Sequence, residues 1–196
     1  MYQPSKRNSF LNRLALFAFV FFSVMSNAET PIGRQMVIHR VNELGLEIWT
    51  EVEPEWEAHL QNGTGGAAPT FVAETPANTY PPAGMTWAVS GQTFTAQEFP
   101  VAAKGAVYQA ARNYGLAEAV AKALPLKAAR YGDLSGYEST FSANTGSVPV
   151  DVKVFFGHQP GKPAVAMQVF TLKDRLSHIS ENIRRSWGHV RYLSKP

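Results

Sequence analysis

The chain has 196 residues, no Cys, 45% hydrophobic and 17% charged residues, which suits a folded protein that buries a sizeable core without disulfides. Its formal charge of +3 comes from 18 basic and 15 acidic side chains; Lys6, Arg7 and Arg13 account for the excess, and residues 29–196 balance to zero. The basic balance therefore makes no case for nucleic-acid binding, and the absence of Cys excludes a lipid-modified N-terminal Cys.

Those three cations precede LALFAFVFFSVM, Leu14 to Met25, and Ser26-Asn27-Ala28 then offers the small-x-small pattern read by signal peptidase. The apolar stretch of 12 residues is short of the roughly 20 needed to span a bilayer as a helix. Residues 1–28 are thus expected to be a cleaved signal peptide and 29–196 a single α+β domain, released to the periplasm or, alternatively, to the exterior, with no transmembrane segment. Charge is unevenly placed along that domain. Residues 29–98 hold nine Glu against Arg34 and Arg40, and residues 99–196 hold 13 basic against six acidic side chains, so the halves carry −7 and +7. Halves of one domain that fold together would cancel these charges.

MVIHRV (36–41) and LEIWTEV (46–52), joined by Asn42-Glu43-Leu44-Gly45, predict an opening hairpin. In its second arm Leu46, Ile48, Thr50 and Val52 share one face and Glu47, Trp49, Glu51 and Glu53 the other, which is expected to be wet. Pro54 ends the strand, EWEAHL predicts a short helix, and NGTGGAAP (62–69) a flexible loop. TFVAET (70–75) and MTWAVS (85–90) are further strands, separated by PANTYPPAG.

A long helix is predicted at PVAAKGAVYQAARNYG, with Pro100 in the first turn, Gly115 as C-terminal cap, and an apolar stripe of Val101, Ala102, Val107, Tyr108, Ala111 and Tyr114. LAEAVAKAL (116–124) extends or restarts it until Pro125. KAARYG, GYESTFSAN, VPVDVKVFFGH and PAVAMQVFTL then predict an antiparallel meander. The closing DRLSHISENIRRSWG reads as an amphipathic helix with Asp174 as N-cap, Leu176, Ile179, Ile183 and Trp187 on its apolar side, Arg184 and Arg185 on its polar side, and Gly188 as cap. The predicted architecture is an antiparallel sheet carrying a long central helix and a C-terminal amphipathic helix packed on it.

This order of elements resembles the PsbP-like fold group, which includes small exported bacterial proteins. The resemblance is carried by the hairpin strand LEIWTEV, the run from GYESTFSAN through VPVDVKVFFGHQPGKPAVAMQVFTL, and the closing helix ISENIRRSW. It spans most of residues 29–196 and implies a binding or assembly role by analogy, with no functional residue to carry over.

Chemical motifs are sparse. GHQPGK (157–162) lacks the G-x-x-x-x-G-K-[ST] spacing of a phosphate loop: Gly157 and Gly161 are one residue too close, Pro163 stands where a hydroxyl is needed, and a strand follows. A hairpin turn explains it. GDLSG (132–136) misplaces its serine for a nucleophile elbow and reads as a turn. The five His, at 39, 59, 158, 178 and 189, have no zinc-ligand spacing, and no metal or cofactor is expected. The acidic run EVEPEWE could pair carboxylates but reads as a solvated face.

The candidates for a partner-binding surface are Trp49, Glu51, Trp56 and Tyr80, with His158 and Lys162 at the tip of the GHQPGK turn. Trp49 leads because its strand neighbours on that face are charged. The functional expectation is an exported binding or accessory protein acting through protein–protein contacts, in envelope assembly or in neutralising another exported protein. The alternatives are a small periplasmic hydrolase with a His/Glu site and a small-molecule or lipid carrier; they differ in whether His and carboxylates meet in a cleft or an apolar cavity opens between helix and sheet.

Overall fold

A computed structural model describes residues 35–63 and 68–194; the expected signal peptide and residues 64–67 of the glycine-rich loop lie outside the described residues. Two sheets, antiparallel throughout, form the body. β1 (Met36–Val41) and β2 (Leu46–Glu51) make the expected hairpin, with Val41 facing Leu46 and Met36 facing Glu51, and β10 (Arg191–Tyr192) adds to β2 to give the order β1-β2-β10. Gly45 closes the hairpin at φ +64°, a backbone conformation that costs glycine little.

The larger sheet has the order β3-β4-β5-β9-β8-β7-β6, formed from β3 (Glu57–Gln61), β4 (Thr70–Glu74), β5 (Ala83–Val89), β6 (Lys127–Tyr131), β7 (Leu134–Thr145), β8 (Val148–His158) and β9 (Val165–Leu172). The predicted meander is its β6 to β9 half. Period-2 alternation sends each strand's side chains to two different cores. Val150, Val152 and Val154 of β8, with Phe141 and Ala143 of β7, pack under the helix α1 (Phe99–Asn113) through Val107, Ala110 and Ala111. On the opposite face Phe155, Met167, Val169, Met85 and Trp87 join Leu46 and Ile48 of the small sheet and Ile179, Ile183 and Trp187 near the C-terminus. The layers are thus α1, the seven-stranded sheet, and then the small sheet with helix α3 (Ser180–Trp187) beside it.

Several expectations are corrected. EWEAHL is largely strand, not helix: Ala58 and Leu60 lean on the core opposite Ala73 and Phe71, while Glu57 and His59 face solvent. Six residues hold too few helical hydrogen bonds to compete with a strand partner. The fold is α+β with the sheets dominant, and the helix over 99–113 is not central, because it covers β7 and β8, off the middle strand β9. It stops in a Schellman turn, Gly115 N–H to Arg112 O at 2.9 Å and Leu116 N–H to Ala111 O at 3.1 Å with Gly115 at φ +83°, before a short α2 (Glu118–Lys122). Its buried side is set by Ala103, Val107, Ala110 and Ala111, leaving Val101 75% exposed.

Asp174 is not an N-cap. It sits at φ +61° in a turn whose N–H donates to Asp151 Oδ2 at 2.7 Å, a 3₁₀ turn (Leu176–Ile179) intervenes, and α3 begins at Ser180 with no side-chain cap. The outer side of β2 is not wholly wet either, because α3 runs along β2 beyond the two residues that β10 pairs. Ser186 Oγ donates to the Trp49 carbonyl there, satisfying an acceptor of the sheet edge. No helix among the described residues is long and apolar enough to cross a membrane.

Candidate functional site

The lead candidate, Trp49, lies on the outer side of the three-stranded sheet. Its indole stacks on the His189 ring at 4.6 Å between centroids and 15° between planes, and its Nε1–H donates to Glu47 Oε1 at 3.0 Å. Antiparallel register sets Ile38 of β1 directly opposite Trp49, and Glu47 opposite both Arg40 and Arg191. Glu47 Oε2 lies 3.8 Å from Arg40 Nε, whose side chain is mostly exposed. With Ile38 51% exposed, the face has an apolar and aromatic strip, Ile38–Trp49–His189, next to a row in which two exposed arginines, Arg40 and Arg191, flank Glu47.

Glu51 shares that strand face but is only 2% exposed. Its Oε1 accepts from Asn182 Nδ2 at 3.3 Å and its Oε2 lies 3.4 Å from Arg185 Nη1, an ion-pair distance at poor hydrogen-bond geometry. Glu51 therefore docks α3 and is not available to a partner, and Arg185 turns inward instead of forming the expected exposed basic face with Arg184.

The other candidates disperse. Trp56 is buried in the main core, so it is a packing residue. Tyr80 is 63% exposed, with the Arg175 guanidinium 5.6 Å from its ring centroid. His158 stacks on Phe99 at the end of α1, centroids 3.9 Å apart, and burial lowers its pKa. Lys162 Nζ sits 5.9 Å from the Tyr192 ring, and the Tyr192 hydroxyl donates to the Pro163 carbonyl. GHQPGK is a turn between paired β8 and β9, with Gly161 at φ +78° and Lys162 N–H bonded to Gln159 O at 2.9 Å. Burial pushes the Tyr192 pKa up to about 12, so its hydroxyl remains a donor through the neutral range. Trp49 and Lys162 thus meet the same terminal segment at two points, His189 and Tyr192.

The His residues do not gather with carboxylates in a cleft, although the Glu55 charge acts on His39. His39 bonds Thr50 Oγ1 at 2.7 Å and tilts against Phe71, while His59 and His178 are exposed. Among the described residues no three of His, Asp and Glu are placed to share a metal ion. Glu53, Glu55 and Glu57 of the acidic run all face solvent.

Sequence reasoning missed one cluster. Tyr131, Glu138 and Lys153 meet between β6, β7 and β8: the tyrosine hydroxyl donates to Glu138 Oε2 at 2.7 Å, and Lys153 Nζ lies 3.0 Å from the same oxygen and 5.7 Å from the Tyr131 ring centroid. Burial alone would lower the Lys153 pKa, yet its bonds to Tyr131 and Glu138 hold it above the usual value; burial also raises that of Tyr131. The only signal was alternation, since Glu138 and Lys153 occupy the polar phase of two predicted strands.

No protein-family model matches the chain, and no curated protein matches it. Among solved structures it is similar to a protein from Bacteroides thetaiotaomicron VPI-5482, with a TM-score of 0.50 at 7% identity, over 76% of this chain and 46% of that one. The chain spans less than half the length of that structure, and at this identity the likeness concerns the fold alone.

Proposed function

We propose that the protein is an exported, periplasmic binding or accessory module that acts by docking another envelope protein on the outer face of its three-stranded sheet. The observation that carries this reading is the Ile38–Trp49–His189 strip, with Ile38 51% exposed, beside the row in which Arg40 and Arg191 flank Glu47. An aromatic centre with arginines at its margin is the composition of interface hot spots. Charge complementarity favours a partner surface that is apolar in the middle and acidic at its edge. β1 is the outer strand of that sheet among the described residues, and such an edge can pair with an extended segment of the partner. The order of elements resembling the PsbP-like group is in keeping with such a role.

The test is affinity capture of the tagged protein from its native envelope with and without crosslinking, followed by titration of the purified partner. Ile38→Glu leaves the core untouched and is expected to weaken binding by at least tenfold, with Trp49→Ala as a second variant. No stoichiometric partner, or one that binds Ile38→Glu and Trp49→Ala as tightly as the parent chain, overturns the reading.

A further inference from the structure

A cleft of about 340 Å³ opens between the seven-stranded sheet and the segment leading into α3, lined by Tyr131, Thr140, Lys153, Leu176, Ser177, Ser180, Ile183 and Arg184. It exists because α3 covers only part of the sheet. Phe155 and Tyr131 pack against Trp187, whereas Thr140 and Lys153, paired across β7 and β8, lie where the cover ends. Its volume is near the lower end of the roughly 300–1,000 Å³ usual for ligand sites, which suits a small molecule.

The polar side of this wall is made of donors. Lys153 carries an ammonium and Arg184 a guanidinium, while the carboxylates that pair with them, Glu138 and Glu181, do not line the cleft. Glu138 fixes Lys153 from behind, and Glu181 takes Nε and Nη2 of Arg184. Ser180 donates to the Ser177 carbonyl, while the Thr140 and Ser177 side chains line the cleft at solvent-exposed positions. Leu176 and Ile183 supply an apolar side.

We propose that this cleft binds a small aliphatic carboxylate, its head group held by Lys153, Arg184 and the hydroxyls of Thr140 and Ser177, and its chain laid against Leu176 and Ile183. Each cation already has one carboxylate behind it, so the remaining donor capacity matches a monoanion better than a doubly charged phosphate. Lys153 is held protonated and hydrogen-bonded, which makes it a binding group and not an amine nucleophile. The site lies apart from the docking face of the small sheet, with no lining residue in common.

The experiment is an NMR titration of the protein with 4-methylpentanoate, with 4-methylpentanamide and inorganic phosphate run in parallel. The carboxylate is expected to saturate with a Kd below about 1 mM and to shift the amides of Thr140, Lys153 and Ser177. The neutral amide and phosphate should each bind at least tenfold more weakly. Arg184→Gln, at an exposed position, and Thr140→Val should each weaken the carboxylate severalfold while leaving the remaining spectrum in place. Lys153→Met tests the primary cation, with the spectrum as the check that it folds. Absence of saturable binding overturns the proposal, as does equal binding of the amide or phosphate, or unchanged affinity in both Arg184→Gln and Thr140→Val.

Discussion

Removing either partner of the Glu51–Arg185 pair should cost much more than removing an ordinary surface charge. The side chains are 3% and 19% exposed and their charges 3.4 Å apart. At an effective dielectric constant near 20, such a separation corresponds to about 4 to 5 kcal/mol of gross attraction, much of it offset by the cost of desolvating both ions. Glu51→Ala removes the carboxylate beside the Arg185 guanidinium, and Arg185→Ala removes the cation beside a buried carboxylate, so each is expected to destabilise by about 3 kcal/mol. The double variant should lose less than the sum by about 2 kcal/mol, since the attraction between the two charges is then lost only once. Urea unfolding followed by tryptophan fluorescence measures all four corners of the cycle, and thermal unfolding should place each single variant roughly 6 to 12 °C below the parent. Additivity within about 0.5 kcal/mol would refute the claim that this pair docks α3 on β2.

Two further outcomes are expected. Gly132→Ala should destabilise more than Gly45→Ala by over about 1 kcal/mol in the same unfolding assay: both glycines have positive φ, but a Cβ at Gly132 would lie 2.1 Å from the Val190 carbonyl, while at Gly45 it meets open space. Equal losses would mean that the turn and the terminal segment move apart freely. Burial lowers the pKa of both His39, where Glu55 partly opposes it, and His158, so the unfolded chain takes up protons more readily than the folded one. Their contribution is therefore fully present above the unfolded value near 6.5 and lost as pH falls through it towards the folded values. Stability should decline between pH 7 and 5, and the paired substitution His39→Asn with His158→Asn should flatten that slope; an unchanged slope would remove these histidines from the account.

Legibility of the fold followed the distance over which each decision is made. The β1–β2 hairpin and the β6 to β9 meander rest on alternation and short turns, and both were readable from neighbouring residues. EWEAHL was not, because Ala58 and Leu60 become strand residues only against Ala73 and Phe71, across a loop. Glu51 was read as exposed on the evidence of its strand phase, which is right about the side it points to; Arg185 and Asn182, over 130 positions away, then bury it. Trp56, a candidate for the partner surface by its setting among glutamates and for the core by its size, proves to be a core residue. The Trp49 face was legible in outline, and the Tyr131–Glu138–Lys153 cluster was not, because its members are ordinary polar residues of separate strands until the register of β6, β7 and β8 joins them.

Helix α3 shows why an amphipathic pattern underdetermines a surface. Successive residues on an α-helix are turned by about 100°, so 184 to 187 point to four different sides. Arg184 reaches the cleft, Arg185 reaches Glu51, Ser186 reaches the Trp49 carbonyl, and Trp187 enters the core against Tyr131 and Phe155. Just beyond the end of the helix, His189 and Arg191 complete the docking face. A helix of eight residues has little stability of its own, so these contacts hold it in place as much as it holds them. The docking face and the cleft consequently share one support. A substitution that frees α3 from β2 should damage both, whereas Ile38→Glu and Thr140→Val act on one surface each, which is what makes those two the discriminating probes.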